Sequence, residues 1–359
     1  MDDDVRSAEQ AVVAGLTLEP DRVREVGWLS PADFGSPVCR LLFTRVLETH
    51  ASSGSVDGTG LLDALRARGE LRSDGYPVAP LTGWLAAVPT PAALPVYARL
   101  VVDGAVARRI EATGVRLLQL ASRGEPLRAL GGAEGQRTLL WVEQRRIVRL
   151  ADPTAGGSER GSVRRIGASP PPPTPSADGD VAHAELVTVG SVITAPGLMA
   201  RLETWLRSED FASPECGVVF SRASRMVADG MPVDRLTVRD QIRRHGELPD
   251  RQCAELLARA EAAVPHAASA GFYGQRVLGA SALRQVAAAG EELVGLGRER
   301  RGNGRELLSA ALGRLDGLVE LRRRVWRSRG SVPPAGRPDV VRPAARVVRP
   351  ELTSRVGRD

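Results

Sequence analysis

Lysine is absent from this chain, although 49 of its 359 residues carry a basic side chain. All of that positive charge therefore belongs to arginine. A Walker-type phosphate loop needs a lysine to contact the β- and γ-phosphates, and Schiff-base catalysis needs a lysine amine. The sequence excludes both kinds of site, and it offers no lysine to act as a general base.

Cysteine, histidine and aromatic residues are also scarce. The three cysteines have no metal-ligand spacing and indicate no disulfide framework, and the four histidines show no repeated spacing to carboxylates or cysteines. We therefore expect no metal site and no cofactor. Because aromatic residues make up only 4% of the chain, the core must consist mainly of leucine, valine and alanine.

Long apolar segments are missing as well. No run of about 18 apolar residues occurs, and the acidic N-terminus Met1–Asp4 lacks the apolar stretch of a signal peptide. These absences predict a soluble, cytoplasmic protein that does not enter a membrane. A chain of 359 residues has room for two or three domains, each with its own core.

The main feature of the sequence is an internal repeat that relates residues 28–57 to residues 205–234. The two segments lie 177 positions apart and share twelve identities in thirty positions. In the first segment the shared residues are Trp28, Leu29, Asp33, Phe34, Ser36, Pro37, Cys39, Phe43, Arg45, Ala51, Val56 and Asp57. A repeat of this length is a whole domain present twice, because solenoid units are only about 20 to 50 residues long.

Local signals divide each copy into short helices. Ser30 and Ser36 each precede a proline, which is typical of a capped helix start. The spacing of Ser7 and Gln10 predicts a capping box at the start of the first helix. Apolar residues recur at helical spacing, and no segment alternates with a period of two. The sequence therefore predicts an all-α fold.

Longer helices without proline follow the short ones in each copy. Residues 96–123 and 136–150, separated by the glycine-rich stretch 124–135, predict an antiparallel helical hairpin. In the second copy the corresponding helices are predicted at 276–298 and 305–327. Each copy is therefore predicted to be a small helical globule followed by an antiparallel helical hairpin.

The composition of the chain predicts four successive parts. Residues 1–150 form copy 1, and residues 184–328 form copy 2. Between them, residues 151–183 are rich in proline, glycine and serine, which is typical of a linker. Residues 329–359 form a tail rich in arginine and proline, which we expect to be disordered.

The net charge of +6 is concentrated at the C-terminal end. Residues 321–359 contain eleven arginines against three acidic residues, so this segment carries a balance of +8. The segment is either a solvated end that reflects a bias in composition or a contact for nucleic-acid phosphates, with salt-dependent affinity. The candidate nucleic-acid-binding residues are Arg322, Arg323, Arg324, Arg327 and Arg329.

Several repeated residues have both a chemical and a structural interpretation. Cys39 and Cys216 could form a redox or zinc pair, but small buried core residues are the simpler interpretation. Asp33 and Asp210 could be general bases, but their position favours capping carboxylates at helix N-termini. The repeated aromatic residues are interpreted as core anchors rather than partner contacts: Trp28, Phe34, Trp205 and Phe211.

Seven short motifs follow one another in copy 1: Ala8-Glu9-Gln10-Ala11-Val12, Asp33-Phe34, Val56-Asp57, Gly69-Glu70-Leu71, Val88-Pro89, Tyr97-Ala98 and Arg108-Arg109-Ile110. Their order and spacing resemble the N-terminal domain of the bacterial replicative helicase DnaB. The resemblance covers residues 8–150 and, more weakly, residues 184–327. It implies a non-catalytic helical domain that dimerises through its hairpin, builds the collar of the helicase ring and takes part in contact with primase and loader.

The chain departs from that family after the first hairpin. There the family has a RecA-like ATPase motor with a lysine-containing phosphate loop, whereas this chain has a second N-terminal-like copy and no lysine. We therefore predict that the chain is not an enzyme. Three hypotheses follow: a protein of DNA replication that associates through its hairpins with helicase, primase or helicase loader; a DNA-binding protein that uses its arginine-rich tail; or a helicase subunit whose motor is absent from this chain.

The two hairpins are predicted to pair with each other inside one chain. A flexible linker of 33 residues has a root-mean-square span of roughly 30 Å and holds the hairpins at an effective concentration on the order of millimolar. We therefore expect an internal pseudo-dimer. The predicted interface residues are Val101, Val106, Ile110, Leu117, Leu283, Val286, Leu293 and Leu296.

Overall fold

The computed structural model describes residues 3–53, 58–72, 75–87, 93–151, 179–264 and 269–330. Within these ranges the chain forms thirteen α-helices and a few short 3-10 helices, and no strand occurs among the described residues. The predicted all-α fold is therefore confirmed. Four residues of the repeated motifs lie outside the described residues, as do most of the predicted linker and tail: Val56, Asp57, Val88 and Pro89.

Copy 1 begins with a globule of four α-helices. They are α1 (Asp3–Leu18), α2 (Pro37–Ser53), α3 (Gly58–Ala67) and α4 (Ala79–Ala87), with 3-10 helices at Pro20–Val26 and Pro31–Asp33 between α1 and α2. The capping box predicted at Ser7 is wrong, because α1 already begins at Asp3. Asp3 and Asp4 place negative charge in its first turn, where the helix dipole favours it.

Copy 2 repeats this globule. Its helices are α7 (Gly179–Thr194), α8 (Met199–Leu202), α9 (Pro214–Ala228), α10 (Arg235–Arg244) and α11 (Asp250–Ala263). Residues 179–183, which the sequence analysis placed in the linker, form the first turn of α7. In this turn Asp180 accepts a hydrogen bond of 2.9 Å from the guanidinium of Arg276.

Each globule is followed by a hairpin of two long helices. Copy 1 has α5 (Leu94–Ala121) and α6 (Pro126–Ala151), and copy 2 has α12 (Ala270–Glu299) and α13 (Gly304–Ser328). The break predicted over residues 124–135 is much shorter, because α6 starts at Pro126 and runs through three glycines. One of them, Gly132, lies so close to α5 that a Cβ there would overlap the side chain of Leu120.

The two hairpins pack against each other as four long helices. Helix α5 of copy 1 lies along α12 of copy 2, and this is the most extensive contact between helices in the described chain. Helix α6 likewise lies against α13. Helices α5 and α12 approach each other closely at two glycines, because a Cβ built at Gly114 would lie 2.5 Å from the carbonyl oxygen of Gly290.

The repeated aromatic residues contribute to the two globular cores. Phe34 is completely buried and its ring lies 4.6 Å from that of Phe43, while the rings of Phe211 and Phe220 are 5.2 Å apart. Trp205 is buried as well. These contacts agree with the interpretation of the aromatic residues as core anchors.

Among the described residues, no single helix has the length and hydropathy needed to cross a membrane. The segments Gly179–Thr194 and Pro196–Leu202 reach those values only as a pair that is bent by 113°. In this pair Val187, Val189 and Val192 are buried inside the protein.

Candidate interaction surfaces

A buried carboxylate joins the globule of copy 1 to its hairpin. Asp33 is completely buried and accepts a hydrogen bond from the backbone N–H of Ser30, so it has the capping role predicted for it. It also accepts hydrogen bonds from Arg109 of α5 at 2.8 Å and from Arg146 of α6 at 2.6 Å. These donors fix both hairpin helices to the segment between α1 and α2.

Copy 2 builds the same junction around Asp210. Its carboxylate accepts hydrogen bonds from the backbone N–H of Arg207, from the Ser281 hydroxyl of α12 and from the Arg324 guanidinium of α13. Arg324 also donates to the carbonyl oxygen of Trp205 at 2.9 Å. The equivalent arginines Arg146 and Arg324 therefore hold the second hairpin helix in the same way in both copies.

A second buried carboxylate in each copy binds backbone amides. Glu9 accepts hydrogen bonds of 2.6 and 2.8 Å from the N–H groups of Gly35 and Ser36, just before α2. Glu185 accepts the corresponding bonds from Ala212 and Ser213. Each glutamate thus satisfies unpaired donors at a helix start, and it links α1 to the segment before α2 in copy 1 and α7 to the segment before α9 in copy 2.

Burial has a consistent effect on the ionisation of these groups. Desolvation raises the pKa of Asp210, although Arg324 and the backbone N–H of Arg207 oppose that shift. Desolvation likewise raises the pKa of Glu185 and lowers the pKa of Arg284 and of Arg324. Backbone amides, a hydroxyl and oppositely charged side chains compensate part of the cost of burying these charges.

A further pair of arginines holds the short helices together. Arg45 of α2 forms a bidentate pair with Glu70, at 2.7 and 2.5 Å. The equivalent Arg222 of α9 forms the same pair with Glu247. Such fork-shaped contacts are more specific in geometry than single ion pairs.

Among the described residues, polar contacts between the two hairpins include one hydrogen bond to a backbone N–H and three ion pairs. The Asp103 carboxylate of α5 accepts a hydrogen bond of 2.8 Å from the backbone N–H of Gly304, which is the first residue of α13. Three ion pairs join Glu111 to Arg298, Arg137 to Asp316, and Glu134 to Arg322.

The predicted apolar interface residues lie in the hairpin helices as expected, and most are inaccessible to solvent. Six are completely buried, and the other two, Leu283 and Leu296, are partly buried against the core. The completely buried ones are Val101, Val106, Ile110, Leu117, Val286 and Leu293.

The arginines predicted to bind nucleic acid have different surroundings. Arg324 is 4% exposed and is paired with Asp210, so its guanidinium does not face solvent. Arg322 is paired with Glu134 across the hairpins, and both Arg323 and Arg327 are paired with Glu320. Arg329 is exposed just beyond the end of α13. The remaining arginines of the tail lie outside the described residues.

The repeated cysteines are buried at the start of α2 and α9. Burial raises the pKa of the Cys39 thiol and of the Cys216 thiol to about 11 in each case, which disfavours the reactive thiolate. Within the described ranges, no group of three or more histidine, cysteine, aspartate or glutamate side chains could hold a metal ion. The cysteines therefore have the surroundings of core residues.

One helix face of copy 1 exposes large apolar side chains. On the outer side of α6, Leu139, Trp141 and Val142 are each 43–56% exposed. The guanidinium of Arg145 lies 4.7 Å from the centre of the Trp141 ring. The equivalent positions on α13 are Gly317, Val319 and Glu320, so this apolar face belongs to copy 1 alone.

Sequence reasoning missed the buried charged clusters, although their signal was present. Arg45 and Glu70 were identified as repeated residues, and Glu9 and Arg109 as parts of motifs, without being assigned to buried pairs. A solvated surface position would tolerate any polar residue. The same charged residue at equivalent positions of both copies is therefore the signal for a buried pair.

Comparisons with known proteins agree with this duplicated architecture. The family model for the DnaB-like helicase N terminal domain matches the chain twice, over residues 3–103 and 180–278. The replicative DNA helicase DnaB of Leifsonia xyli subsp. xyli is 29% identical over 157 residues, which are 44% of this chain and 33% of that protein. The match thus spans about a third of the length of that relative.

A solved structure also matches part of the chain. The crystal structure of the N-terminal domain of DnaB helicase from Mycobacterium tuberculosis is 28% identical, and the match covers 38% of this chain and 96% of that one, with a TM-score of 0.35. The family model covers more than half of this chain in its two matches. The chain therefore belongs to the family of DnaB-like helicase N-terminal domains and carries that domain in two tandem copies.

Proposed function

We propose that this chain is a non-catalytic protein of DNA replication that supplies two DnaB-type N-terminal domains as one internal pair. It associates with a replication protein of the helicase, primase or helicase-loader class. The observation that carries this proposal is the double match to the N-terminal domain, and the packing of α5 along α12 and of α6 against α13 supports it. The wider replication context comes from the helicase relatives.

The absence of lysine supports a role without catalysis. Helicase motors hydrolyse nucleoside triphosphates on a phosphate loop that contains lysine, and this chain has none. The matched family region is the N-terminal domain. The buried acids Asp33 and Asp210 are held by arginines and backbone amides, so they are poorly suited to general base catalysis.

Mutual burial supports pairing of the two hairpins inside one chain. Ile110, Val286 and Leu293 have no exposed surface, and they lie on α5 and α12, the two helices that pack along each other. Burial of such side chains contributes about 1.5–3 kcal/mol each. A linker that keeps the hairpins close favours this pairing over pairing between chains. Partners then bind surfaces that the internal pairing leaves open.

The outer face of α6 is our proposed contact for that partner. Its three exposed apolar residues are Leu139, Trp141 and Val142, and their equivalents on α13 are Gly317, Val319 and Glu320, of which only Val319 is apolar. A tryptophan braced by an arginine is a frequent anchor in protein interfaces. We expect the partner to present an apolar groove or helix face that covers this face.

Purified proteins provide the test. The full-length chain is mixed with helicase, primase and helicase loader from the same cell, and capture of one of them is the expected result. Trp141→Ser with Val142→Ser should abolish capture without changing the melting temperature, and Val319→Ser on α13 serves as the matched control. Failure to bind any of the three proteins, or ATP turnover by a preparation free of helicase, would contradict the proposal.

A second candidate function is DNA binding through the arginine-rich end. The concentration of positive charge beyond Leu321 favours it, and Arg329 is exposed next to the tail. DNA binding should then weaken steeply with salt. Truncation after Gly330 should abolish it while leaving the helical domains folded. Binding that survives this truncation would exclude the tail as its source.

A further inference from the structure

The two hairpins contact each other reciprocally, as the halves of a symmetric dimer do. Arg108 and Arg284 both donate to the carbonyl oxygen of the buried aspartate in their own copy, so positions 176 apart are equivalent in α5 and α12. Arg146 and Arg324 both pair with that aspartate, so positions 178 apart are equivalent in α6 and α13. Every contact between the hairpins can therefore be compared with its symmetric counterpart.

The first such comparison concerns the start of each second hairpin helix. Asp103 accepts a hydrogen bond from the N–H of Gly304 at the start of α13. Asp103 is equivalent to Gly279, and Gly304 is equivalent to Pro126 at the start of α6, so the counterpart is the close approach of Gly279 to Pro126. Two copy 1 hairpins would place Asp103 opposite Pro126, which has no N–H to donate. Two copy 2 hairpins would place Gly304 opposite Gly279, which has no side chain to accept its N–H.

The ion pair between Arg137 and Asp316 shows the same asymmetry. In a pair of copy 1 hairpins, Arg137 would face Thr138, which is the equivalent of Asp316. In a pair of copy 2 hairpins, Asp316 would face Leu315, which is the equivalent of Arg137. Neither arrangement keeps the charge pair.

The two remaining ion pairs give the same result. Like copies would put Glu134 opposite Gln144 and Arg322 opposite Leu312. Likewise, Glu111 would lie opposite Ser122 in a pair of copy 1 hairpins, and Arg298 would lie opposite Ala287 in a pair of copy 2 hairpins. These four polar contacts are thus complementary only when copy 1 meets copy 2.

We propose that this interface is heterotypic: the hairpin of copy 1 accepts the hairpin of copy 2 and discriminates against a second copy 1 hairpin. The inference rests on the proposed internal pairing and adds the residues that specify it. Specificity arises as much from polar groups left without partners in the wrong pair as from contacts in the right one. Asp103 contributes to this discrimination because the N–H of Gly304, which its carboxylate accepts, has no equivalent in a pair of copy 1 hairpins.

The proposal has a consequence for assembly. To pair with either hairpin of this chain, the hairpin of a helicase N-terminal domain would have to displace the other one. The displaced hairpin already makes complementary polar contacts. The internal pair is therefore closed to a third hairpin, and replication partners must bind outside the four-helix contact.

Thiol cross-linking in the full-length chain tests the inference directly. Arg137→Cys combined with Asp316→Cys is treated with a short bismaleimide, while the native cysteines are buried and serve as an internal background. We expect a cross-link within one chain, with the mass of a monomer. Arg137→Cys alone should give no cross-linked dimer, because position 137 of one chain does not lie next to position 137 of another. A dimer from this single variant would overturn the inference.

The same experiment separates the inference from the proposed internal pairing. If only the double variant cross-links but the product is a dimer of chains, copy 1 still pairs with copy 2, and the proposal of pairing within one chain fails instead. If the single variant cross-links into dimers, heterotypic pairing fails, whereas the replication role is decided by the binding assay.

A charge exchange provides a second measurement. Arg137→Asp and Asp316→Arg should each lower the melting temperature, and the double variant should recover most of the loss, because the pair is restored with reversed sign. Arg128→Asp is the control, since Arg128 of α6 pairs with Glu125 of its own copy. Combined with Asp316→Arg it should give an additive loss. Additive losses for Arg137 and Asp316 as well would contradict the inference.

Discussion

Gly114 and Gly290 face each other where α5 and α12 cross. A Cβ at Gly114 would lie 2.5 Å from the carbonyl oxygen of Gly290, and a Cβ at Gly290 would lie 2.9 Å from the carbonyl oxygen of Gly114. The two glycines occupy equivalent positions in the two copies. They therefore mark the centre of the reciprocal contact, where any side chain would push the helix backbones apart.

We expect Gly290→Ala to destabilise the chain, by about 1–3 kcal/mol in the free energy of unfolding, because the methyl group overpacks a backbone contact. Gly295→Ala on the same helix is the control. Nothing lies within 4 Å of a Cβ at Gly295, so the better helix propensity of alanine should stabilise it by about 0.5–1 kcal/mol. Denaturant unfolding measures both variants. Equal effects of the two substitutions would show that the helices do not approach at Gly290.

The close crossing explains why part of the fold was beyond sequence reasoning. Helical periodicity alone predicted the hairpins and their apolar faces. The stretch 124–135 was predicted to separate the two helices because its glycines usually favour turns. Gly132 instead lies inside α6 and allows Leu120 of α5 to pack closely. A glycine that permits close packing and a glycine that ends a helix look alike in one sequence, because tertiary contact decides between them.

Arg324 tests the distinction between a structural arginine and a phosphate-binding one. We expect Arg324→Ala to cost about 3–5 kcal/mol in the free energy of unfolding, because it leaves the buried Asp210 carboxylate without its cation. The neighbouring Arg323 has a side chain that is 59% exposed, so Arg323→Ala should change stability by less than about 1 kcal/mol. Chemical denaturation of both variants gives the comparison. A loss no greater for Arg324→Ala than for Arg323→Ala would contradict the buried pair.

The arginine run from Arg322 to Arg324 also shows that basic residues adjacent in sequence can have different surroundings in the structure. As a sequence it is one basic cluster, and a single interpretation was given to all its members. On α13 the three side chains point in different directions, toward Glu134, Glu320 and Asp210. The sequence could not separate them, since the buried partner of Arg324 lies 114 residues away in the chain.

Ile110 tests whether the hairpins pair within one chain. Ile110→Asp places a carboxylate in a position with no solvent exposure. We expect a loss of at least ~2–5 kcal/mol in the free energy of unfolding, which is the usual cost of removing such a side chain. Val115→Asp on the same helix is the control, because Val115 is already 41% exposed.

The concentration dependence of that loss identifies the arrangement. For pairing within one chain, the fall in melting temperature should be the same at low and high protein concentration, because no association step is involved. Light scattering should give a monomer for the wild type and for the variant. A wild-type dimer that Ile110→Asp converts to monomers would instead show that the hairpins pair between chains.

Asp103 gives the contact between the hairpins a characteristic dependence on pH. Desolvation raises its pKa above the ordinary value of 3.8, and Glu306 of α13 adds to the shift, while the N–H of Gly304 and the charge of Arg99 oppose it. A carboxyl whose pKa is raised in the folded state stabilises that state fully below pH 3.8. This stabilisation is lost as the pH rises through the raised pKa of the folded state.

Asp103→Asn isolates this effect, since the amide oxygen can still accept the N–H of Gly304 but does not titrate. We expect the wild type to lose stability relative to Asp103→Asn as the pH rises from 3.8 through the raised pKa, with a constant difference above it. Asp234→Asn is a control of opposite sign. Hydrogen bonds from Thr237 lower the pKa of Asp234, so the wild type should lose stability relative to that variant as the pH falls below 3.8. Thermal unfolding across this range measures both differences, and slopes of the same sign would show that Asp103 is not desolvated between the hairpins.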